Sequence, residues 1–383
     1  NDLVSNHATV VDALSNRTCL PAEVLSFFPH PDLSRAAILG RMKHIQSANN
    51  FRSHWGVNFH MNVAAGEIIP ALTGTSWDDF VCNRLFEPVG MTDSITGPNL
   101  LGDNTNVVTP HDRGSSKIIP ISHANTTNIG PAMSIYSSAE DMAKWLMFQL
   151  NNGKVGDEVI IPEGEINKMR SSYIAANFDF PGISKNFLNQ GLGLYISDSS
   201  MGYTLYSNGG DVDGMEAYHA FLPELNLGIA VMVNSMIAMP QRLISWVIDR
   251  YTDAPRKDWV NDILSVSVKN GDTFFSNLGK AQQEITDSSK KPSKTIESYA
   301  GLYQHPLLGD LLIRCEAGEL SFVLGTSYQG NLYHANHDTF FIKVNTPRFS
   351  KMLFSGPVQF RLDKTGRVSS LFTVGKEFQK VDS

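Results

Sequence analysis

The chain of 383 residues is long enough for two or three domains, and 42% hydrophobic with 18% charged residues supplies the apolar material of a folded core. This composition excludes wholesale disorder. The net charge of −7, with no basic stripe along the chain, predicts no nucleic-acid partner. No run of about eighteen apolar residues occurs, so the sequence predicts no membrane span.

The three cysteines, Cys19, Cys82 and Cys315, are far apart and form no Cys-x-x-Cys pattern. They are therefore expected to be free thiols, and the sequence predicts neither a metal site nor a cofactor. Nothing in the sequence chooses between a cytoplasmic and a secreted protein.

Helical patterns come first along the chain. Ser76 and Asp79 form a capping-box-like pair at the start of one predicted helix, and Ser137 or Ser138 begins another that stops at Asn151-Asn-Gly153. A third helix is predicted from about Gln241, with apolar residues on one face.

Between these helices the hydrophobic period changes to that of β-strands. Gly209–Gly214, rich in turn residues, is predicted as one of the short connections of an antiparallel meander. Helices on both sides of an antiparallel sheet indicate an α+β fold. The predicted strands are Gly191–Ser197, Tyr203–Ser207, Met215–Leu222 and Ile229–Asn234.

The polar stretch 283–295 contains a proline and is predicted to be a linker. We therefore place a first domain at residues 1–282 and a second at 296–383. The second breaks into short alternating strands and is predicted to be a small all-β barrel or sandwich. Its predicted strands are Leu311–Cys315, Leu320–Leu324, Thr339–Val344, Val358–Leu362 and Val368–Val374.

Motifs in collinear order cover about residues 10–250. They are Val11–Pro21, Phe51–Ser53, Ala64–Ile69, Phe86–Met91, Tyr136–Leu146, Gly191–Leu194, Gly209–Gly214 and Ala220–Asn234. Together they resemble the serine β-lactamase/penicillin-binding-protein family, which includes the class C β-lactamases. The resemblance implies a β-lactamase/transpeptidase-like fold. Glu297–Tyr303 and Leu332–Phe340 resemble a lipocalin-like domain that often follows it, a likeness of shape from which no ligand follows.

The resemblance also implies a reaction. The family uses a serine nucleophile with a lysine one helical turn later, a tyrosine that relays a proton, a Lys or His on a strand, and backbone N–H groups that stabilise the oxyanion. Ser-x-x-Lys occurs once, at Ser288-Ser-Lys-Lys291 in the polar linker, where no apolar helix face would position it.

Two further positions of this machinery are changed. The relay tyrosine aligns with Val57, which cannot carry a proton, and the strand Lys or His aligns with Asn208. The backbone N–H of Asp211 takes the place of an oxyanion donor, while the side chains of Asp211 and Asp213 fit solvated turn residues.

The alignment predicts a cleft bounded by the loop His54–His60, the strand Tyr206–Asp211 and the loop Ser122–Asn128. We expect replacement of Asn208 or His60 to impair it more than replacement of His219, which the sequence places away from the glycines. The predicted catalytic residues are His60, Asn208 and Asp211. The predicted substrate-binding residues are His54, Trp55, Val57, Asn58, Phe59, Tyr206, Gly209, Gly210 and Met215.

These residues favour an enzyme repurposed for a hydrophobic small molecule, in a natural-product tailoring step such as isomerisation, cyclisation, elimination or acyl transfer. One alternative is a serine hydrolase whose nucleophile segment lies outside this chain. Another is a catalytically silent binding protein. The family segments that precede Val11 are not visible, so we expect an upstream segment or a second chain to cover an open sheet edge and an apolar face.

Overall fold

The computed structural model describes residues 2–47, 50–113, 118–177, 186–237, 239–259, 261–262, 277, 279–280, 282–287, 289–345 and 354–381. Contacts divide the chain into two compact units. The first comprises Asn1–Glu23 and Ile45–Val266, and the second Val24–His44 and Ser267–Ser383. The segment 24–44 thus groups with the second unit, whereas the predicted boundaries place it in the first domain.

The helices begin where the sequence supplies capping side chains. Asn58, Ser76 and Ser138 each accept a hydrogen bond from a backbone N–H in the first turn of the helix that follows. The helices are α1 (Asp2–His7), α2 (Val10–Leu14), α3 (Arg35–Arg41, in the second unit), α4 (Phe59–Thr73), α5 (Trp77–Val81), α6 (Glu87–Val89), α7 (Gly130–Met133), α8 (Ala139–Leu150), α9 (Glu163–Met169) and α10 (Pro240–Tyr251).

Strands β1 (His111–Arg113) and β2 (Ile118–Pro120) pair with each other, as do β3 (Lys154–Val155) and β4 (Glu158–Val159). A six-stranded antiparallel sheet has the order β10-β9-β8-β7-β6-β5. This sheet, with helices before and after it, confirms the predicted α+β class. Its strands are β5 (Ile174–Ala175), β6 (Leu188–Gln190), β7 (Tyr195–Asp198), β8 (Thr204–Val212), β9 (Met215–Leu222) and β10 (Leu227–Val233).

Apolar side chains cover both faces of this sheet. Leu205 and Leu222 pack with Ile244 and Ile248 of α10 on one face. Phe221 packs with Leu146 of α8 on the opposite face. Burial on two faces explains why the apolar pattern of β9 and β10 is nearly continuous.

One sequence prediction about this sheet is wrong. Residues 209–212, predicted as part of a turn, continue β8, and β8 pairs with β9 as far as Val212–Met215. The connection is the two-residue turn Asp213-Gly214, in which Gly214 has a φ of +82°. An Asp-Gly pair suits a tight hairpin because glycine adopts positive φ without steric cost, so the strands extend to the turn itself.

The second unit contains a closed antiparallel barrel of eight strands, which confirms the predicted barrel. The structure adds three strands that the sequence analysis does not include, β11, β14 and β18. The strands are β11 (Gly301–His305), β12 (Gly309–Glu316), β13 (Glu319–Leu324), β14 (Tyr328–Asn336), β15 (Thr339–Val344), β16 (Gly356–Leu362), β17 (Val368–Thr373) and β18 (Lys376–Lys380).

Large aromatic side chains fill the core of this unit. Tyr299, Tyr303, Phe340 and Phe360 form a network of ring contacts, with the centroids of Tyr299 and Phe360 4.8 Å apart. Small eight-stranded barrels have room for side chains or for one small ligand, and here aromatic rings occupy this core. The predicted linker is partly regular, since residues 282–285 are helical.

Candidate functional site

The end of β8 has an open side. β9 pairs with β8 from Tyr206 to Val212, whereas β7 pairs only with Thr204–Ser207. In the described part of the chain, therefore, no strand lies beside residues 208–212 on the β7 side. The Asn208 side chain closes the start of this gap, because its Nδ2 donates to Gly193 O at 2.6 Å and its Oδ1 accepts from Gly209 N at 2.7 Å.

The two glycines after Asn208 have different environments. A Cβ atom at Gly209 would lie 2.1 Å from Cδ1 of Tyr218, the residue opposite it on β9, whereas one at Gly210 would meet nothing within 4 Å. Gly209 is therefore needed for packing within the sheet. Gly210 faces open space, which leaves it available to a ligand.

Acidic residues surround the hairpin tip. Asp211 is paired with Glu216 across the strands, and the turn residue Asp213, predicted to be solvated, is buried. Desolvation of its carboxyl group and the nearby charge of Asp213 raise the pKa of Asp211, although the residue keeps exposed surface.

The loop His54–His60 carries Trp55, which the structure links to the sheet. Trp55 Nε1 donates to Gln190 Oε1 at 3.0 Å, and its ring centroid lies 6.2 Å from that of Tyr195. Gln190 is the last residue of β6 and Tyr195 is the first residue of β7. Trp55 therefore lies beside these two strands, near the open side of β8. Val57 is half-buried in the same loop, and His54 is exposed, with Nδ1 2.7 Å from Ser53 Oγ.

Two polar residues of this loop lie in the interior. Asn58 is completely buried and caps α4, while its Nδ2 donates to Leu20 O and Pro21 O. His60, in the first turn of α4, is also completely buried, and burial lowers its pKa to about 4. Both side chains thus support the fold at this place, and their predicted contact with a substrate remains a prediction.

The remaining predicted substrate-binding residues lie on different elements of the fold. Tyr206 stacks on Phe221 with centroids 5.3 Å apart and belongs to the apolar cluster facing α8. Met215 is half-buried and starts β9 opposite Val212. Phe59, half-buried, is the first residue of α4.

The loop that carries Trp55 is held by a buried carboxylate that the sequence analysis does not identify. Asp12 is fully buried and accepts from Arg17 Nε at 2.6 Å and from Arg52 Nε at 2.8 Å. Backbone hydrogen bonds from Arg52 N to Arg17 O and from Gly56 N to Asn16 O also join the loop to the segment that follows Asp12. Carboxylate–guanidinium pairs of this kind fix geometry as well as charge.

The structure also corrects the expectation for His219. It lies directly opposite Asn208 on β9, one residue from the partner of Gly209, and not on a strand away from the glycines. The expectation is wrong because the register of β8 and β9 depends on a two-residue turn, whereas the sequence predicts a longer turn over Gly209–Gly214.

In the loop Ser122–Asn128, the third predicted boundary of the cleft, His123 Nδ1 lies 3.3 Å from the hydroxyl of Tyr136. Burial raises the pKa of Tyr136 to about 12, so the tyrosine is neutral at pH 7. Ser288 of the single Ser-x-x-Lys motif lies outside the described residues.

The described residues offer neither a metal site nor a membrane-spanning helix. They contain no group of three or more His, Cys, Asp or Glu side chains able to hold a metal ion. None of their helices combines the length and apolar character that crossing a membrane requires.

Comparison with known proteins identifies both parts of the chain. The sequence model of the β-lactamase family matches residues 5–251, and a domain of unknown function, DUF3471, matches residues 286–381. The unguisins hydrolase ungD of Aspergillus violaceofuscus is 23% identical over 340 residues, which cover 81% of this chain. Penicillin-binding protein 4 of Amycolatopsis lactamdurans is 24% identical over 176 residues, 45% of this chain.

Solved structures share the fold. The octameric penicillin-binding protein homologue from Pyrococcus abyssi has a TM-score of 0.57 at 16% sequence identity. The match covers 96% of this chain and 77% of the homologue's chain. The D-amino acid amidase from Ochrobactrum anthropi SV3 has a TM-score of 0.52 at 16% sequence identity. This match covers 69% of this chain and 73% of the amidase chain.

The chain spans 59% of the length of the hydrolase from Aspergillus and 45% of that of penicillin-binding protein 4. The family match extends over residues 5–251 of 383, well over half of the sequence. The collinear motifs, the six-stranded sheet flanked by helices and this match agree, and the chain belongs to the β-lactamase family.

Proposed function

We propose that this chain binds an apolar, amide-containing small molecule along the open side of β8 and acts on it without the serine–lysine–tyrosine relay. The observation that carries the proposal is the extension of β8 beyond its β7 partner, from Asn208 to Val212. An extended amide ligand can add to such an edge through main-chain hydrogen bonds, while side-chain pockets select its substituents.

Strand geometry indicates which backbone groups face the ligand. Val212 and Met215 close a two-residue hairpin, so every second residue of β8 directs its N–H and C=O toward β9 and the others direct theirs away. Gly209 and Asp211 are of the second kind. The N–H of Gly209 is held by Asn208 Oδ1, which leaves the N–H of Asp211 to bind a ligand carbonyl or a developing oxyanion.

The changed side chains argue against the family's usual reaction. Val57 cannot relay a proton, and Asn208 has no titrating group, so acyl-enzyme formation by the usual route lacks two of its parts. A backbone donor at Asp211 would still be able to stabilise an enolate or alkoxide. These features support a tailoring step such as isomerisation, cyclisation, elimination or acyl transfer.

The comparisons support a second candidate, a serine hydrolase that acts on amides. The curated relative from Aspergillus is named a hydrolase, and structures that share the fold include a D-amino acid amidase and a D-stereospecific amidohydrolase from Streptomyces. This candidate needs a nucleophile that the described residues do not supply in the family's arrangement. A silent binding protein is a third outcome.

The edge-binding proposal is tested by isothermal calorimetry with N-acetyl-D-phenylalanine amide on the full chain. Asp211→Pro removes the backbone N–H at an unpaired edge position, where proline is tolerated. Asp211→Ala keeps that N–H and removes only the carboxylate. We expect Asp211→Pro to weaken binding about ten-fold and Asp211→Ala to retain it within about three-fold.

Two results would overturn the proposal. One is the absence of saturable binding to the unmodified protein across related amides with D- and L-side chains. The other is equal affinity of the proline and alanine variants at unchanged melting temperature, which would show that the ligand does not use this edge.

A further inference from the structure

His219 is a polar residue on the face of the sheet where Phe221 and Ala230 pack with an apolar cluster. On β9 it follows Tyr218, the packing partner of Gly209, and precedes Phe221 by two residues on the face toward α8. Its cross-strand partners are Asn208 on β8 and Ala230 on β10. Paired residues share a face, so Asn208, His219 and Ala230 form one row across the sheet.

The polar side chains of this row differ in how many of their atoms are hydrogen-bonded. The amide of Asn208 bonds Gly193 and Gly209, as described above. The Nε2 atom of His219 is buried and has no hydrogen-bond partner among the residues that the structure describes. A buried polar atom left unpaired costs about 1–3 kcal/mol, so a ligand group that hydrogen-bonds it would be stabilised there.

The imidazole is neutral at physiological pH, because burial lowers the pKa of His219 to about 4. A neutral imidazole carries one N–H donor and one nitrogen acceptor, so it suits an uncharged amide or hydroxyl group better than an ion. The residue as a whole is half-buried, on the sheet row that starts at the open edge with Asn208.

We propose that His219 is a ligand-contacting residue of the β8 cleft, and that its imidazole hydrogen-bonds the amide group of the bound small molecule. The inference deepens the proposed function and rests on it, since it takes the cleft beside Asn208 as the ligand site. The ligand group supplies the partner that Nε2 lacks, so the cost of the unpaired nitrogen is relieved only in the complex.

A paired set of variants separates this role from a structural one. His219→Leu removes a buried unpaired polar group and is expected to raise the melting temperature, yet to weaken binding of N-acetyl-D-phenylalanine amide about ten-fold. His219→Gln restores a donor and an acceptor and should recover affinity to within about three-fold. His44→Leu, at an exposed histidine, is the matched control and should leave affinity unchanged.

The direct readout is the side-chain ¹⁵N NMR spectrum of the full chain labelled at histidine, recorded during titration with the same amide. We expect the His219 Nε2 resonance to shift with saturation while that of His44 does not. Saturable binding with an unmoved His219 resonance and full affinity in His219→Leu would overturn the inference and leave edge binding intact. If the His219 effects persist while Asp211→Pro binds normally, the ligand contacts His219 in the cleft without using the N–H of Asp211, and only the edge hydrogen bond of the proposed function is overturned.

Discussion

Asn208 and His219 face each other across β8 and β9, and the side chain of Asn208 also reaches across the end of β7 to the carbonyl of Gly193. One asparagine therefore joins three segments at the point where the sheet opens. A Lys or His here would contribute charge or proton transfer, whereas Asn208 contributes a fixed edge. This relationship makes Asn208 the first residue to test.

Asn208→Ala removes the bonds to Gly193 and Gly209 and frees the edge of β8. We expect affinity for N-acetyl-D-phenylalanine amide to fall about three- to ten-fold, measured by calorimetry, with a stability loss of about 1 kcal/mol. His44→Ala is the off-site control. Equal effects of the two variants on affinity would argue against a site at Asn208.

The two glycines are expected to respond differently to the same substitution. Gly209→Ala forces a methyl group against the ring of Tyr218 and should destabilise the protein by about 1–3 kcal/mol. Gly210→Ala adds a methyl group in open space and should change stability by no more than about 0.5 kcal/mol. Chemical denaturation measures both, and a stable Gly209→Ala variant would show that the register of β8 and β9 is wrong.

Asp12 holds the Trp55 loop through Arg17 and Arg52. Burial alone would raise the pKa of Asp12. Hydrogen bonds from Arg52, Thr9 and Arg17 lower this pKa by a larger amount, so it lies well below the usual range. Asp12→Asn should destabilise the protein by about 3 kcal/mol, the lower end for a buried pair because Arg52 is partly exposed. A melting temperature equal to that of the unmodified protein would contradict this role.

The buried His60 side chain is expected to make the fold less stable in acid. Its pKa is lowered to about 4 by burial, so between pH 6.5 and about 4 the unfolded chain binds a proton that the folded chain does not. The free energy of unfolding should therefore fall as the pH drops through this window, by roughly 3 kcal/mol at most for this residue. His60→Gln should flatten the slope of the unfolding free energy against pH in urea denaturation series, and an unchanged slope would show that His60 has the same pKa in the folded and the unfolded chain.

Much of the fold could be predicted from residues whose effect is local. Ser76 and Ser138 start helices because their hydroxyl groups bond the first turn, and the strand Met215–Leu222 follows from its apolar pattern. The end of β8 could not be predicted in the same way. Glycine and aspartate are typical of turns, and only pairing with β9 makes residues 209–212 a strand.

The site shows the same division. The changes at Val57 and Asn208 are visible in the sequence because they depend on alignment with a family motif. The burial of His60 and the position of His219 depend on tertiary packing and on strand register, which no local pattern reports. The role of Asp12 cannot be predicted from the sequence, because its partners Arg17 and Arg52 come together only in the fold.

The proposed function requires that this member of the β-lactamase family works without an acyl-enzyme. Intact-mass spectrometry of the full chain after incubation with a fluorophosphonate, and separately with nitrocefin, tests it directly, with a class C β-lactamase as positive control. We expect no added mass on this chain, because an unactivated serine is a poor nucleophile and a missing base and relay cost about 10²–10⁴ in rate. A stoichiometric adduct that disappears when one serine is replaced would contradict it and favour the hydrolase.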